Sequence, residues 1–182
     1  MRKLKMDELG RMSVDEFKRA DKFPLVLILD NIRSLNNIGS IFRTADAFRI
    51  EKIYLTGFTA RPPHKDIHKT ALGATESVDW EYTEKISVLL QKLKQDGFFI
   101  MALEQTDEKI MLQDFYPEKN RKTAVILGNE VKGISDEALD YADIAVEIPQ
   151  FGTKHSLNVS VSAGIVLWDL LAKINFDYLC KK

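Results

Sequence analysis

The sequence predicts an α/β fold, a mainly parallel sheet flanked by helices, on three observations. Short, almost continuously apolar runs, PLVLILD (24–30), FFIMALE (98–104) and TAVILG (123–128), have the length and composition of strands buried on both faces. Other segments, such as EKISVLLQKLKQDG (84–97), are amphipathic at helical spacing. The two kinds alternate along the chain, the order expected of strand–helix–strand units. At 182 residues the chain is long enough for one well-buried domain and short for two.

Each element follows from its residues. SVDEFKRADKF (13–23) reads as a short, locally basic helix with a capping box between Ser13 and Glu16. PLVLILD is the first strand. NNIGSIFRTADAF (36–48) is a helix with Ile38, Ile41, Phe42, Ala45 and Phe48 on its apolar side, capped by Asn36 or Asn37. KIYLTGF (52–58) is the second strand. The Pro-rich ARPPHKDIHK (60–69) reads as a loop rather than a full helix, KTALGA (69–74) as a turn and SVDWEY (77–82) as an edge strand. The helix at 84–97 closes at Gly97, FFIMALE follows as a strand, and a loop through MLQDFYPEKNRK (111–122) leads to the strand TAVILG. SDEALDYA (135–142) is a short helix capped by Ser135, with Asp136 and Glu137 suited to its N-terminal dipole. IAVEIP (144–149) is the last strand and HSLNVSVSAGIVLWDLL (155–171) the last helix. Two apolar stripes, Leu157-Val161-Ile165-Trp168-Leu171 and Val159-Ala163-Val166-Leu170, predict that this helix is buried on most sides. The chain then divides into a basic helical extension (1–23), one main domain (24–176) and a short tail (177–182).

Composition narrows the class. With 45% hydrophobic and 29% charged residues this is an ordinary globular chain, without repeats or low-complexity tracts. Basic and acidic residues number 26 and 27, so any nucleic-acid partner must be met by a local patch. The single Cys180 cannot form an internal disulfide, which points to a reducing, cytoplasmic location. No apolar run reaches membrane-spanning length, and MRKLKMDELG lacks the apolar core of a signal peptide.

Ligands of parallel sheets bind beyond the carboxyl ends of strands, and three loops there carry polar residues. After the first strand, Gly39 allows close approach of a backbone or a phosphate, and Arg43 shares a polar side with Asn36 and Ser40. In ILGNEVKGIS (126–135), Gly128 and Gly133 flank Asn129 and Glu130. This is neither a P-loop nor a dinucleotide fingerprint. In EIPQFGTKHSLNVS (147–160), Pro149 and Gly152 shape a loop that delivers Ser156 and Asn158 to the last helix. These two are either a cap or a site.

The three loops together resemble a known family. N-x-G-x-x-x-R-T-A-D-A from Asn37, L-G-N-E-x-x-G-I-S from Leu127, and I-P-x-x-G-x-x-x-S-L-N-V-S-V from Ile148 resemble, in this order, the three motifs of SPOUT methyltransferases. The likeness is to the SpoU/TrmH branch, which methylates ribose 2′-hydroxyls in tRNA and rRNA. It runs from about Pro24 to Ile174, and KTALGATESV also resembles a family segment.

The resemblance implies a C-terminal trefoil knot, S-adenosylmethionine as methyl donor, and a homodimer whose active sites combine both subunits. It implies a cofactor site at Ala102, Leu103, Leu127, Gly128, Asn129, Gly133, Ile148, Pro149, Gln150, Ser156, Leu157 and Ala163. Arg43, Asn37, Glu130, Ser156 and Asn158 take the catalytic positions, and the Ser156–Asn158 pair then reads as site rather than cap. Arg33, Arg43, Arg61, Lys65 and Lys69 are the cations expected to meet RNA. Family accounts make Arg43 the base. A guanidinium stays protonated, so the alternative is that it holds a phosphate and stabilises the developing alkoxide. The reaction needs no metal and no covalent intermediate.

This chain departs from its relatives at Leu35, where Pro is frequent, at Arg49, where Gly is frequent, and at Gln150, where Met is frequent. Only the basic helix precedes the main domain, so no separate RNA-binding module is expected, and tRNA stands ahead of rRNA as substrate. The rival functions are a non-catalytic RNA-binding knot protein, a base methyltransferase of another SPOUT branch, and a Rossmann-type nicotinamide oxidoreductase. The missing glycine fingerprint disfavours the last. His64 and His68 lack further ligands for zinc, and His155 beside Ser156 is a loop histidine rather than a nucleophile's base. Lys119, Arg121 and Lys122 form a solvated run or an RNA-facing rim, and Trp168 and Phe176 suit core or dimer packing.

Overall fold

The structure, a computed structural model, describes residues 1–174. Phe176, Cys180 and the tail at 177–182 lie outside the described residues.

A 3-10 turn (Met6–Leu9) and helix α1 (Val14–Arg19) precede strand β1 (Phe23–Asp30). The α1 capping box forms as expected, with Ser13 N–H donating to Glu16 Oε2 at 2.8 Å and Glu16 N–H to Ser13 Oγ at 3.3 Å. Then come α2 (Leu35–Ala47), β2 (Ile50–Thr56), α3 (Lys65–Ala71), α4 (Ala74–Ser77), β3 (Asp79–Thr83) and α5 (Ile86–Gln95). The chain continues through β4 (Phe99–Leu103), β5 (Ile110–Met111), β6 (Thr123–Leu127), α6 (Asp136–Leu139), β7 (Ile144–Glu147) and α7 (Val159–Ile174).

The strands form one seven-stranded sheet in the order β3-β2-β1-β6-β4-β7-β5, and every pairing is parallel. Strand alternation explains why β1 is apolar without a break. Leu25, Leu27 and Leu29 join Ile38, Ile41 and Phe42 of α2 and Val166 and Leu170 of α7 on one face. Val26 and Ile28 join Leu89, Leu90 and Leu93 of α5 and Ala138 of α6 on the other. A strand with a helical layer on each side has no face for polar residues. The carboxyl ends of β1, β6, β4 and β7 therefore open at one edge of a rigid core.

Several expectations are corrected. Helix α2 starts at Leu35, capped by Ser34, whose Oγ accepts from Asn37 N–H at 3.3 Å. Neither Asn36 nor Asn37 is the cap, so the Asn37 amide is left for other work. Part of the expected Pro-rich loop is helical: α3 begins where His64 Nδ1 accepts from Asp66 N–H at 3.2 Å. The loop at 111–122 contributes Met111 to β5 and a 3-10 turn, Leu112–Asp114. Helix α7 starts at Val159, with Ser156, Leu157 and Asn158 exposed before it. Only one side of α7 packs on the sheet, so Val161, Ile165 and Trp168 stay 50%, 37% and 56% exposed.

Candidate functional site

The site begins where β1 ends. Asp30 is 1% exposed, yet its carboxylate is satisfied, with Oδ2 accepting from Ser135 N–H at 2.8 Å and Oδ1 from Asn31 Nδ2 at 2.7 Å. The next carbonyl, that of Asn31, accepts from Asn129 Nδ2 at 2.7 Å. Asn129 Oδ1 in turn accepts from the N–H groups of Val131 and Lys132, both at 2.9 Å. The loop after β6 is thereby folded on itself and tied to the loop after β1. Close packing requires Gly128, because a Cβ there would stand 2.3 Å from the Gly133 carbonyl carbon and the Ile134 nitrogen.

Glu130 projects from this loop into a set of donors. Its Oε2 accepts from Arg33 N–H, and its Oε1 from Ser34 N–H and Asn37 Nδ2, each at 3.0 Å. Partial burial favours the neutral acid, but these hydrogen bonds outweigh it and hold the carboxyl below its ordinary pKa. Asn37 Oδ1 accepts from Asn158 Nδ2 at 3.1 Å. Asn158 Oδ1 accepts from Ser160 N–H at 2.9 Å, and its carbonyl from Ser162 N–H at 2.9 Å. Asn158 is both things the sequence left open: it opens α7 and it joins the site. The relay Asn158–Asn37–Glu130 links residues more than 90 positions apart and draws all three motif loops together.

Beside the relay lies a cleft of about 480 Å³. Leu103, Leu127, Gly128, Asn129, Gly133, Ile148, Gln150, Ser156 and Leu157 line it, as does Glu130. Three residues expected there lie elsewhere. Ala102 and Ala163 are sealed in the core at 0% exposure, because each faces a helix–sheet contact rather than the loop end. Pro149 lines a neighbouring apolar groove with Val161, Ile165 and Trp168. Ser156 is exposed at the cleft rim.

Arg43 stands away from the cleft lining, exposed on α2, and among the described residues its side chain makes no hydrogen bond or ion pair. Gly39 serves helix packing rather than a phosphate: a Cβ there would lie 2.1 Å from Thr70 Oγ1 and 2.3 Å from the Ile67 carbonyl oxygen on α3. Arg33, Arg61, Lys65 and Lys69 are all exposed, and the Arg61 guanidinium lies 4.3 Å above the Tyr82 ring. Among the described residues no group of three or more His, Cys, Asp or Glu is placed to hold a metal ion.

Sequence reasoning missed Asp30, Asn31 and Glu104. Glu104 braces the cleft, accepting from Ile134 N–H at 2.9 Å and Gln105 N–H at 2.8 Å. One signal was available, since Asp30 is a lone carboxylate closing a wholly apolar run.

A sequence model of the SpoU rRNA Methylase family matches residues 24–168. The chain belongs to that family. Among curated SpoU-family relatives, the 23S rRNA (guanosine-2'-O-)-methyltransferase RlmB of Neisseria meningitidis is 33% identical over 153 residues, which are 84% of this chain. The match spans only 60% of the length of that relative. Among solved structures, the Aquifex aeolicus TrmH/SpoU tRNA modifying enzyme superposes with a TM-score of 0.76 at 28% identity, covering 86% of this chain and 78% of that one. An AdoMet-bound rRNA methyltransferase from Sinorhizobium meliloti shares the fold, with a TM-score of 0.77 at 22% identity, covering 86% and 62%.

Among the described residues, no helix of this SpoU-family chain is long and apolar enough to cross a membrane.

Proposed function

We propose that this SpoU-family protein is an S-adenosylmethionine-dependent methyltransferase acting on a ribose 2′-hydroxyl of structured RNA, tRNA or rRNA. The observation that carries the reading is the relay Asn158–Asn37–Glu130, which assembles the three motif loops at the mouth of one cleft. The activities named for the relatives support it.

The cleft suits the donor. Leu103, Leu127, Ile148 and Leu157 offer apolar walls for a purine, and the tight 128–134 loop brings backbone groups to the lining. Glu104 and Glu130 place carboxylates where a positive charge is welcome. When bound, S-adenosylmethionine supplies an electrophilic methyl group on a cationic sulfur. The work of the protein's own residues is then alignment. Glu130 fixes Asn37 and the backbone at 33–34, and Asn37 fixes Asn158 at the start of α7, so the loops that face substrate cannot drift. The Arg43 guanidinium holds a flanking phosphate and stabilises the charge that develops on the 2′-oxygen, whose proton passes to that phosphate or to water.

The reading includes a C-terminal trefoil knot within a catalytic body at 24–176 and a cytoplasmic setting. It also includes a homodimer whose active sites combine both copies. The exposed Val161 and Ile165, continuous with the apolar groove at Pro149, support the dimer.

The test is transfer of labelled methyl from S-adenosylmethionine to separate tRNA and rRNA fractions, followed by alkaline hydrolysis. Label in alkali-resistant dinucleotides is the expected result and names the substrate fraction. Label in mononucleotides would replace ribose with base methylation. Binding of S-adenosylmethionine in calorimetry with no transfer to any RNA would leave a non-catalytic RNA-binding protein.

A further inference from the structure

Phe58 is 62% exposed, although it lies only two residues past a fully buried part of β2. A large aromatic side chain held in solvent carries a cost that burial would remove. The loop that presents it is braced on every side. Phe58 N–H donates to Asn31 Oδ1 at 3.2 Å, Tyr82 OH donates to the Gly57 carbonyl at 2.8 Å, and Thr59 Oγ1 accepts from Ile32 N–H at 2.9 Å while donating to the Leu29 carbonyl at 3.0 Å. The ring is therefore offered from a fixed base.

Two exposed arginines stand on segments bonded to this loop. Arg61 sits over the Tyr82 ring, and that same Tyr82 holds Gly57. Arg33 follows Ile32, which is bonded to Thr59, and the Arg33 backbone N–H is one of the donors to Glu130. An exposed aromatic on a loop bonded to the segments that carry two exposed arginines, one of which is tied through its backbone to Glu130 of the relay, combines a stacking surface with charges for a sugar–phosphate backbone. Single-stranded nucleic acid is bound by that combination, whereas a duplex presents stacked bases that no side chain can face.

We propose that the rim formed by Arg33, Phe58 and Arg61 is a stacking subsite for an unpaired nucleotide of the RNA substrate, next to the ribose to be methylated. The inference rests on the proposed RNA activity and adds to it the kind of RNA taken: one with an unstacked base beside the target, as in a loop or bulge.

The experiment is fluorescence anisotropy with a labelled single-stranded 12-mer oligoribonucleotide and a labelled RNA duplex of the same length, using the whole chain. Loss of one stacked base should weaken single-strand binding by Phe58→Ala roughly 5- to 150-fold, with duplex binding little changed. Phe58→Tyr and Phe58→Trp should restore it. Titration with S-adenosylhomocysteine, expected to be unaltered in all variants, confirms that each is folded. Unchanged single-strand affinity in Phe58→Ala would overturn the subsite, as would equal loss on both RNAs. Loss of self-association in Phe58→Ala with RNA affinity intact would make the ring a protein contact instead. If the unsubstituted protein binds neither RNA, the RNA reading itself falls and the subsite with it.

Discussion

At the scale of single residues, Glu130 and Arg43 make opposite kinds of contribution. Glu130 is committed to two backbone N–H groups and one side-chain amide, so Glu130→Gln turns one of its two acceptor oxygens into a donor facing donors. That substitution should lower stability by about 1–3 kcal/mol and abolish turnover, measured by urea unfolding and methyl transfer. Its pH dependence has a definite sign. The folded carboxyl titrates below its unfolded value of about 4.3, so its contribution is complete above that value and fades as pH falls through the lower folded one. Unfolding midpoints of the parent should drop more steeply below about pH 4.3 than those of Glu130→Gln, and parallel curves would remove Glu130 from the site. Arg43, whose exposed side chain has no bonded partner among the described residues, should show the reverse pattern. Arg43→Ala is expected to reduce transfer about 100- to 1,000-fold with stability and donor affinity intact, and weakened donor binding would refute its assignment. Asn37, Glu130 and Asn158 could be picked out in the sequence because motif spacing carried them. Asp30, Asn31 and Glu104 act through bonds to backbone groups of distant loops, and no local pattern marks such partners.

At the scale of elements, the strands were readable because burial on two faces forces an unbroken apolar run, as in Leu25–Leu29. Helix onsets were less so. Asn36, Asn37, Ser156 and Asn158 all belong to capping residue types, but Ser34 starts α2, and α7 starts only after Asn158 has bonded Ser160. Helix α3 escaped notice because two prolines precede it and an imidazole, an unusual cap, begins it. The crossing of α2 on α3 is the most exacting contact in this layer. Thr70 Oγ1 donates to the Asn36 carbonyl at 3.0 Å, and Gly39 leaves room for it. Gly39→Ala gains helix propensity of about 1 kcal/mol, but its methyl group would collide with Thr70 and with the Ile67 carbonyl. The collision should win, giving a net loss of about 1–3 kcal/mol by urea unfolding. Adding Thr70→Ala should recover only part of it, since the backbone oxygen remains. Unchanged stability would return Gly39 to the role of a phosphate approach.

At the scale of the whole molecule, the sheet order is what periodicity could not supply. A pattern of apolar residues says which faces are buried, not that β6 inserts between β1 and β4 after a connection that passes β5. The family resemblance implied a C-terminal knot but named no strand order. The same limit explains the misjudged burial of α7. Apolar residues on every side read as a core helix, but the side through Ala163, Val166, Leu167, Leu170 and Leu171 is buried while Val161 and Ile165 stay exposed. The side holding Val161 and Ile165 is therefore the part of this chain whose composition asks for a second molecule. If the proposed dimer forms there, Val161→Glu with Ile165→Glu places two like charges per copy in an apolar contact, where both would need water. Sedimentation should then show monomers, with the urea midpoint little changed because these positions are exposed in one copy. Methyl transfer should vanish as well if, as proposed, each active site combines both copies. A dimer that persists in this double variant would move the interface elsewhere. A monomer that remains fully active would show that one chain holds a complete site, and Arg43 would then have to reach the cleft of its own copy.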